Sequence, residues 1–204
     1  MTLTPERARD QRLMTAVVDF VAKCRDPAID VFRDAVANWG DEWCGVSAVE
    51  LPAASMLESM LEQSNDETHA LMSLFTRERA SLRWEQAYSD ADKSVGEHML
   101  ASYGYAEIVG KQGPFFSKRI RAGIAVYGPG INYPLHQHDA EEIYVVLAGS
   151  ASFRLGDSEP VSRSAGAVIH HASMMGHGLH TNDDTLVIFY LWQGGNLREK
   201  PSFL

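Results

Sequence analysis

The stretch YPLHQHDAEEIYVVLAG, residues 133–149, combines two histidines, a glutamate and two tyrosines at short, regular spacing. In an extended strand, residues two apart point to the same face, so an unbroken strand over 136–146 would gather one set of polar side chains. The even-numbered members of that set are His136, His138, Glu142 and Tyr144. Val145 and Leu147 would then face the core. Two imidazoles and a carboxylate at one place suit a divalent transition metal, whereas the alternative is a solvated strand edge.

The spacing on either side of this stretch identifies a fold family. Five residues separate Gly130 from the first histidine, three separate His138 from Glu142, and six separate Glu142 from Gly149. This pattern resembles the first motif of the cupin superfamily without a gap. The resemblance implies an antiparallel β-barrel, or jelly roll, with a metal held inside it.

The second cupin motif begins with a glycine and places a histidine eleven positions later, which here corresponds to Gly166 and His177. We therefore predict His177 as the fourth metal ligand. The match is imperfect, because Ala172 and Met174 replace the usual proline and glycine, and Asn182 falls one position late. For that reason a nearby histidine remains an alternative ligand; the two substitutes are His180 and His171.

The remaining histidines of the second half are interpreted as structural. His170 and His171 are neighbours on opposite faces of a strand, so at most one of them can line a cavity. His98 stands alone in the sequence, without a second ligand at a useful spacing.

The chain changes character near residue 84. Before that point, apolar residues recur every three or four positions, as in the stripe from Leu13 to Val21, and Thr4-Pro5-Glu6 is a typical helix start. After it, short runs rich in Tyr, Val, Ile and Phe alternate with Gly and Pro. We predict an α+β chain with a helical region at 1–83, packed on a C-terminal antiparallel β-barrel at 84–204.

Composition excludes several classes of function. The 204 residues carry a formal net charge of −9, and no basic run is present that would favour nucleic acid as a partner. Two cysteines cannot build a disulfide framework or a four-thiolate zinc site. No signal peptide and no membrane-spanning stretch is evident, so we expect a cytoplasmic protein without a membrane partner. A homodimer is left open.

Aromatic residues around the motif narrow the resemblance. Tyr133 precedes the first histidine by three residues, Tyr144 follows Glu142 by two, and Tyr190 and Trp192 share one face of the last long strand. Together with the helical first half, this pattern is similar to the cupin-type dimethylsulfoniopropionate lyases. The resemblance implies cleavage of dimethylsulfoniopropionate, a small zwitterion, into acrylate and dimethyl sulfide.

The residues fit a base-initiated β-elimination. A divalent ion, one of Fe²⁺, Zn²⁺, Mn²⁺ or Ni²⁺, would bind the substrate carboxylate and acidify the neighbouring C–H. We expect Tyr133 to be the base that removes this proton, with Tyr144 as the alternative, because a nearby metal favours the phenolate. The faces of Tyr144, Tyr190 and Trp192 are expected to hold the sulfonium cation.

Two other functions use the same features. An Fe²⁺ dioxygenase acting on a small acid or thiol would have the same ligands but would require oxygen and open metal positions. A small-molecule-binding or regulatory cupin would need neither oxygen nor turnover. A cupin metal site alone does not decide between them.

Overall fold

The computed structural model describes residues 3–40 and 42–204. The α-helices are α1 (Pro5–Lys23), α2 (Asp30–Ala37), α3 (Leu57–Met60), α4 (His69–Glu78) and α5 (Glu97–Ser102), with 3₁₀ turns at Pro27–Ile29, Pro52–Met56, Leu61–Gln63 and Arg79–Ser81. The strands are β1 (Trp84–Glu85), β2 (Tyr103–Gly110), β3 (Phe115–Phe116), β4 (Ile120–Tyr127), β5 (Asn132–Gln137), β6 (Glu141–Leu155), β7 (Val161–Ser164), β8 (Val168–His171), β9 (His177–His180), β10 (Leu186–Gln193) and β11 (Ser202–Phe203).

The predicted start of the first helix is confirmed. Thr4 Oγ1 accepts a hydrogen bond of 3.2 Å from Arg7 N, and Pro5 is the first helical residue, where its missing N–H costs nothing. The apolar stripe beginning at Leu13 is buried, with Val17 and Val21 in the same core. The α1 helix is therefore held on the barrel by the face that its periodicity predicts.

The strands form one curled sheet in the order β1-β2-β4-β10-β6-β9-β5-β11, with β3 added beside β2, and β7 and β8 beside β6. The long strand β6 joins its two halves: its first part pairs with β10 and β8, and its last part pairs with β7 and β9. All pairings except the one between β2 and β3 are antiparallel. This is the predicted cupin jelly roll with helices packed on one face.

Alternation along the central strands separates two cores. On β6, Val145 and Leu147 pack with the helices, whereas Tyr144 points into the interior of the barrel. On β10, Phe189 packs with the helices and Tyr190 points inward. The parity expected from the sequence therefore holds, and it makes the interior face aromatic and polar while the outer face is aliphatic.

Two local predictions are wrong. The first concerns the strand expected over 136–146, which is interrupted at residues 138–140. Its two parts have different partners, since β5 pairs with β9 and the first half of β6 pairs with β10. The chain must therefore cross from one part of the sheet to the other between them. The second concerns the run HMLASYGYAEIVG, residues 98–110, which predicts a strand from His98, whereas the strand begins at Tyr103. The preceding Glu97–Ser102 segment forms α5 because it contains good helix formers, and Met99 packs it on the interior core.

The proposed division at residues 83 and 84 coincides with the start of β1. One hydrophobic core nevertheless contains side chains from both parts, among them Phe32, Phe75 and Val126, so the two-region division stays a prediction. Among the helices that the structure describes, none combines the length and apolar character needed to span a bilayer.

Candidate active site

Five ionisable side chains meet inside the barrel. In the strand register, His136 of β5 lies opposite His177 of β9, and Glu142 of β6 lies opposite His171 of β8. His138 follows β5, in the crossing segment. All five side chains are buried, and none is more than 4% exposed. The structure thus brings together the four predicted metal ligands and adds His171, which the sequence interpretation had left as structural or as a substitute ligand.

Three of these imidazoles are oriented by nearby backbone carbonyls. The Nδ1 atoms of His136, His138 and His177 lie 2.8–2.9 Å from the carbonyl oxygens of Pro134, Ala140 and Met175, respectively. Because each Nδ1 can donate its proton to a carbonyl, the Nε2 of each ring is left to face the cluster. This tautomer is the one that a metal-binding imidazole requires.

Glu142 is the centre of the cluster. Its Oε2 lies 3.1 Å from His138 Nε2, 3.2 Å from His177 Nε2 and 3.4 Å from His171 Nδ1. Burial alone would raise the pKa of Glu142, but the three imidazole contacts outweigh it and hold the pKa well below its usual range. The carboxylate therefore stays charged inside the barrel.

The imidazoles respond to the same surroundings in different ways. Burial, reinforced by the neighbouring His177, lowers the pKa of His136 well below its usual value. Burial likewise lowers the pKa of His171 to about 4. For His138, burial is outweighed by the hydrogen bond and charge of Glu142, and its pKa is raised. These shifts make His138 the imidazole that holds a proton against Glu142.

The donor set fits a divalent transition metal. The ligating atoms of His136, His138 and His177 lie within 4.8 Å of one another, as do those of Glu142, His171 and His177. Within the described part of the chain, the buried His177 Nε2 and His171 Nδ1 lie 3.2 and 3.4 Å from Glu142 Oε2 but are not oriented to form a hydrogen bond with it or with any other group. Buried nitrogen atoms without partners are costly unless an additional group satisfies them. Three imidazoles and one carboxylate suit several divalent ions.

Aromatic rings support two of the imidazoles. The Tyr133 ring stacks on His136 with centroids 4.0 Å apart and an interplanar angle of 20°. Trp192 stacks on His138 with the same separation at 25°, and its indole N–H donates a hydrogen bond to Glu142 Oε1. The predicted base and one predicted substrate-binding residue therefore both touch the cluster.

A cavity adjoins the cluster and is lined mainly by phenol rings. Of the predicted site residues, it is lined by Tyr133, Tyr144, Tyr190 and Trp192, together with His136 and Glu142. The sequence interpretation missed further members of its wall: Tyr103, Tyr105, Arg121 and Tyr127. The alternation in YGY, residues 103–105, was a signal for two of them, because strand parity directs both rings to the interior.

The hydroxyl of Tyr133 has a partner outside the predicted set of site residues. The Tyr88 hydroxyl forms a hydrogen bond with the Tyr133 hydroxyl, and both residues are buried. Burial, followed by the neighbouring tyrosines, raises the pKa of Tyr133 well above its usual value. Burial and the charge of Glu142 do the same for the pKa of Tyr144. Both phenols are neutral unless a positive charge is placed beside them.

The other histidines lie away from the cluster. His180 is exposed, with Nδ1 at 3.1 Å from the Ile131 carbonyl oxygen. His170 pairs with Glu141 at 2.8 Å on the outer side of the barrel, and His98 Nε2 lies 2.7 Å from the carbonyl oxygen of Pro129. The contacts of His170 and His98 are compatible with a structural role, and His180, one of the two substitute ligands, lies outside the cluster.

Comparisons with known proteins identify a family and its members that this chain resembles. Residues 29–188 match the family model described as dimethylsulfoniopropionate lyase. The chain is 30% identical over 149 residues to dimethylsulfoniopropionate lyase DddQ of Ruegeria pomeroyi, an alignment that covers 73% of each chain.

Solved structures agree over nearly the whole length. A chain from the crystal structures of the dimethylsulfoniopropionate lyases RdDddP and RnDddQII superposes with a TM-score of 0.85 at 26% identity, covering 98% of this chain and 99% of that one. The crystal structure of DddQ from Ruegeria pomeroyi superposes with a TM-score of 0.82 at 27% identity, covering 96% of each.

Proposed function

Because the chain belongs to the dimethylsulfoniopropionate lyase family, we propose that it is a metal-dependent enzyme that cleaves dimethylsulfoniopropionate into acrylate and dimethyl sulfide, with Tyr133 as the base. It is a carbon–sulfur lyase. One observation carries the proposal: three imidazole Nε2 atoms and the Glu142 carboxylate converge beside a phenol that stacks on one of those imidazoles.

His136, His138, Glu142 and His177 are the residues that would hold the metal, and His171 lies close enough to support Glu142. A bound divalent ion, whether Fe²⁺, Zn²⁺, Mn²⁺ or Ni²⁺, would polarise the substrate carboxylate and favour the phenolate form of a nearby tyrosine. The Nδ1 contacts to backbone carbonyls keep the three rings in the required tautomer. Trp192 fixes the Glu142 carboxylate through its indole N–H.

The Tyr133 oxygen acts as the base. It takes a proton from the carbon next to the substrate carboxylate, and the electrons of that C–H bond form the C=C bond of acrylate. The C–S bond breaks with its electron pair moving to sulfur, which leaves as neutral dimethyl sulfide. The Tyr88 hydroxyl is hydrogen-bonded to the Tyr133 hydroxyl, and by donating to the Tyr133 oxygen it would stabilise the phenolate.

The cavity walls suit the rest of the substrate. A sulfonium accepts no useful hydrogen bond and is stabilised by aromatic faces. Tyr144 supplies such a face within the cavity, whereas Tyr190 and Trp192, the other two predicted residues, already lie beside the guanidinium of Arg121. Burial of these rings excludes water, which strengthens electrostatic interactions in the site.

The test is an assay of the purified protein with dimethylsulfoniopropionate in the absence of oxygen. We expect dimethyl sulfide in the headspace and acrylate in solution in equal amounts. Turnover that requires oxygen would indicate a dioxygenase instead, and binding without turnover would indicate a binding cupin.

A further inference from the structure

A cation of the protein lies inside the cavity, on the side away from the histidines. Arg121 on β4 is opposite Trp192 in the strand register, and Trp192 is in turn opposite Glu142. Since neighbouring strands are about 4.8 Å apart, the Arg121 backbone is about 10 Å from that of Glu142. The guanidinium comes from a strand that carries none of the proposed metal ligands, and the Trp192 ring contacts both this guanidinium and His138.

The guanidinium is held over aromatic rings. Its central carbon lies 5.0 Å from the ring centroid of Tyr105, 5.1 Å from Trp192 and 5.8 Å from Tyr190. These faces already interact with a cation, so a sulfonium would meet like charge on this side of the cavity. The Arg121 side of the cavity therefore favours the carboxylate end of a zwitterion.

Arg121 retains unused donors. Its Nε donates to Glu107 Oε1 at 2.5 Å, and the second Glu107 oxygen accepts from Gln112 N at 2.8 Å. No acceptor among the described residues is hydrogen-bonded to Nη1 or Nη2 of Arg121. A guanidinium whose Nε is anchored in this way presents its two terminal nitrogens as a fork, and that fork matches a carboxylate.

Tyr190 adds a second unused donor. Its hydroxyl is buried and has no hydrogen-bond partner in the described part of the chain, although the residue lines the same cavity. Gly123, beside it on β4, leaves room for this hydroxyl, because a Cβ there would lie 2.8 Å from the Tyr190 oxygen. An unpaired buried hydroxyl next to a guanidinium fork indicates a site for an anionic ligand.

Two surface grooves share Arg121 with the cavity as a lining residue; Lys111 and Arg198 line both grooves, and Glu107 and Glu199 line one of them. In a chain with a net charge of −9, these cations make the approach to Arg121 locally favourable for an anion. We propose that Arg121 and Tyr190 form a carboxylate-binding subsite, distinct from the histidine–glutamate cluster, which takes the substrate carboxylate on entry and the acrylate carboxylate on release. The identity of these two ligands rests on the proposed lyase function.

The test uses propionate, a carboxylate without a leaving group, titrated into the purified protein and followed by ligand-observed NMR. Arg121→Gln should weaken binding by about tenfold or more, because it removes a charge-assisted hydrogen bond. Arg121→Lys should lose less affinity for propionate than Arg121→Gln, because lysine keeps the positive charge but lacks the two terminal nitrogens of the guanidinium. Tyr190→Phe should weaken binding several-fold without affecting the fold, since its hydroxyl has no protein partner.

Arg119→Gln is the matched control, because Arg119 is exposed two residues away and carries the same charge. It should bind propionate as the unaltered protein does. Unchanged binding in folded Arg121→Gln and Tyr190→Phe would overturn the subsite. So would binding that disappears completely when a chelator removes the metal, because no carboxylate site independent of the metal would then remain.

The two proposals fail separately. If propionate binding depends on Arg121 but dimethylsulfoniopropionate is not cleaved, the subsite stands and the lyase function is lost. If turnover is normal and propionate binding ignores Arg121 and Tyr190, only the subsite is lost.

Discussion

Glu142 on β6 and Trp192 on β10 are direct partners across the sheet, and the indole N–H of Trp192 donates a hydrogen bond to the Glu142 carboxylate. The register of two long strands therefore fixes the orientation of the only carboxylate in the buried cluster that the structure describes. The same indole stacks on His138, so one side chain orients two of the proposed ligands.

Trp192→Phe should weaken metal binding without unfolding the barrel. The phenyl ring keeps most of the stacking on His138 but cannot donate to Glu142. Loss of a group that orients a metal ligand costs about 10–100-fold in affinity or activity. The measurement is metal affinity by chelator competition, alongside thermal unfolding. Wild-type affinity in a folded variant would show that the indole N–H does not orient the carboxylate.

His136→Ala, His138→Ala, Glu142→Ala and His177→Ala should each be purified with little metal and little activity. Each substitution removes one atom from the cluster while leaving the helix-facing core unchanged. His180→Ala is the control, because His180 is exposed and outside the cluster. Elemental analysis of the purified variants decides the matter. Full occupancy in any of the first four would remove that residue from the ligand set.

His171→Ala should have a smaller effect than His177→Ala. His171 lies 3.4 Å from Glu142 and belongs to only one of the two groups of converging ligand atoms, whereas His177 belongs to both. The same elemental analysis applies. If His171→Ala is the emptier of the two, the fourth ligand has been assigned to the wrong strand.

Metal affinity should rise with pH. The raised pKa of His138 means that a proton stays on its imidazole, between Ala140 and Glu142, up to a higher pH than usual. A metal at Nε2 must displace that proton, so binding weakens as the pH falls through the raised value and strengthens above it. Glu142 contributes little to this dependence, because its pKa is lowered and it stays ionised. Chelator competition from about pH 5.5 to about pH 8 measures it, and a flat profile would contradict it.

Tyr133→Phe should keep the metal and the fold but lose about 10²–10⁴-fold in turnover, mainly in kcat. The ring and its stacking on His136 remain, and only the hydroxyl is removed. Tyr144→Phe is the comparison, since Tyr144 lines the same cavity and is equally buried. Near-normal turnover in Tyr133→Phe with loss in Tyr144→Phe would exchange their roles.

Gly149→Ala should lower the free energy of unfolding several times more than Gly156→Ala does. Gly149 has a φ of +77°, and an added Cβ would collide with the Thr185 carbonyl oxygen, which is backbone and cannot move aside. Gly156 has a φ of +53° with nothing within 4 Å of its Cβ position, so only the cost of the left-handed conformation applies, about 1–2 kcal/mol. Denaturant unfolding of both variants gives the two free energies, and equal losses would show that the close approach is relieved elsewhere.

Local pattern predicts only part of this site. The spacing from Gly130 to Gly149 is sufficient to predict that His136, His138 and Glu142 belong to the site. Strand parity is sufficient to predict that Tyr144 and Tyr190 point inward. Both kinds of pattern depend only on residues that are close in the chain. The position of His171 depends on β8 pairing with β6 in a particular register. Arg121 depends in the same way on β4 pairing with β10. Such pairings between distant segments leave no periodic signal in the sequence.

The interruption after β5 has a similar origin. Nothing in the residues 136–146 requires a break, and an unbroken strand would also have directed the ligands to one face. The break follows from the strand order, which places β5 and the first half of β6 in different parts of the curled sheet. The α5 helix was missed for another reason: six residues are too few for a helical periodicity to appear.

The carbonyls that orient the three imidazoles all belong to residues two positions away in the chain. Each ring therefore takes its tautomer from its own segment of backbone and needs no distant side chain for this purpose. Arg121 and four of the phenol rings that line the cavity lie on strands that carry none of these imidazoles; the four are Tyr103, Tyr105, Tyr127 and Tyr190. Substitution on those strands can change which small molecule the cavity accepts while the coordinating nitrogens stay as they are. The architecture would thus allow the residues proposed to select a ligand to diverge without loss of the proposed metal site, with the exception of Trp192, which contacts both.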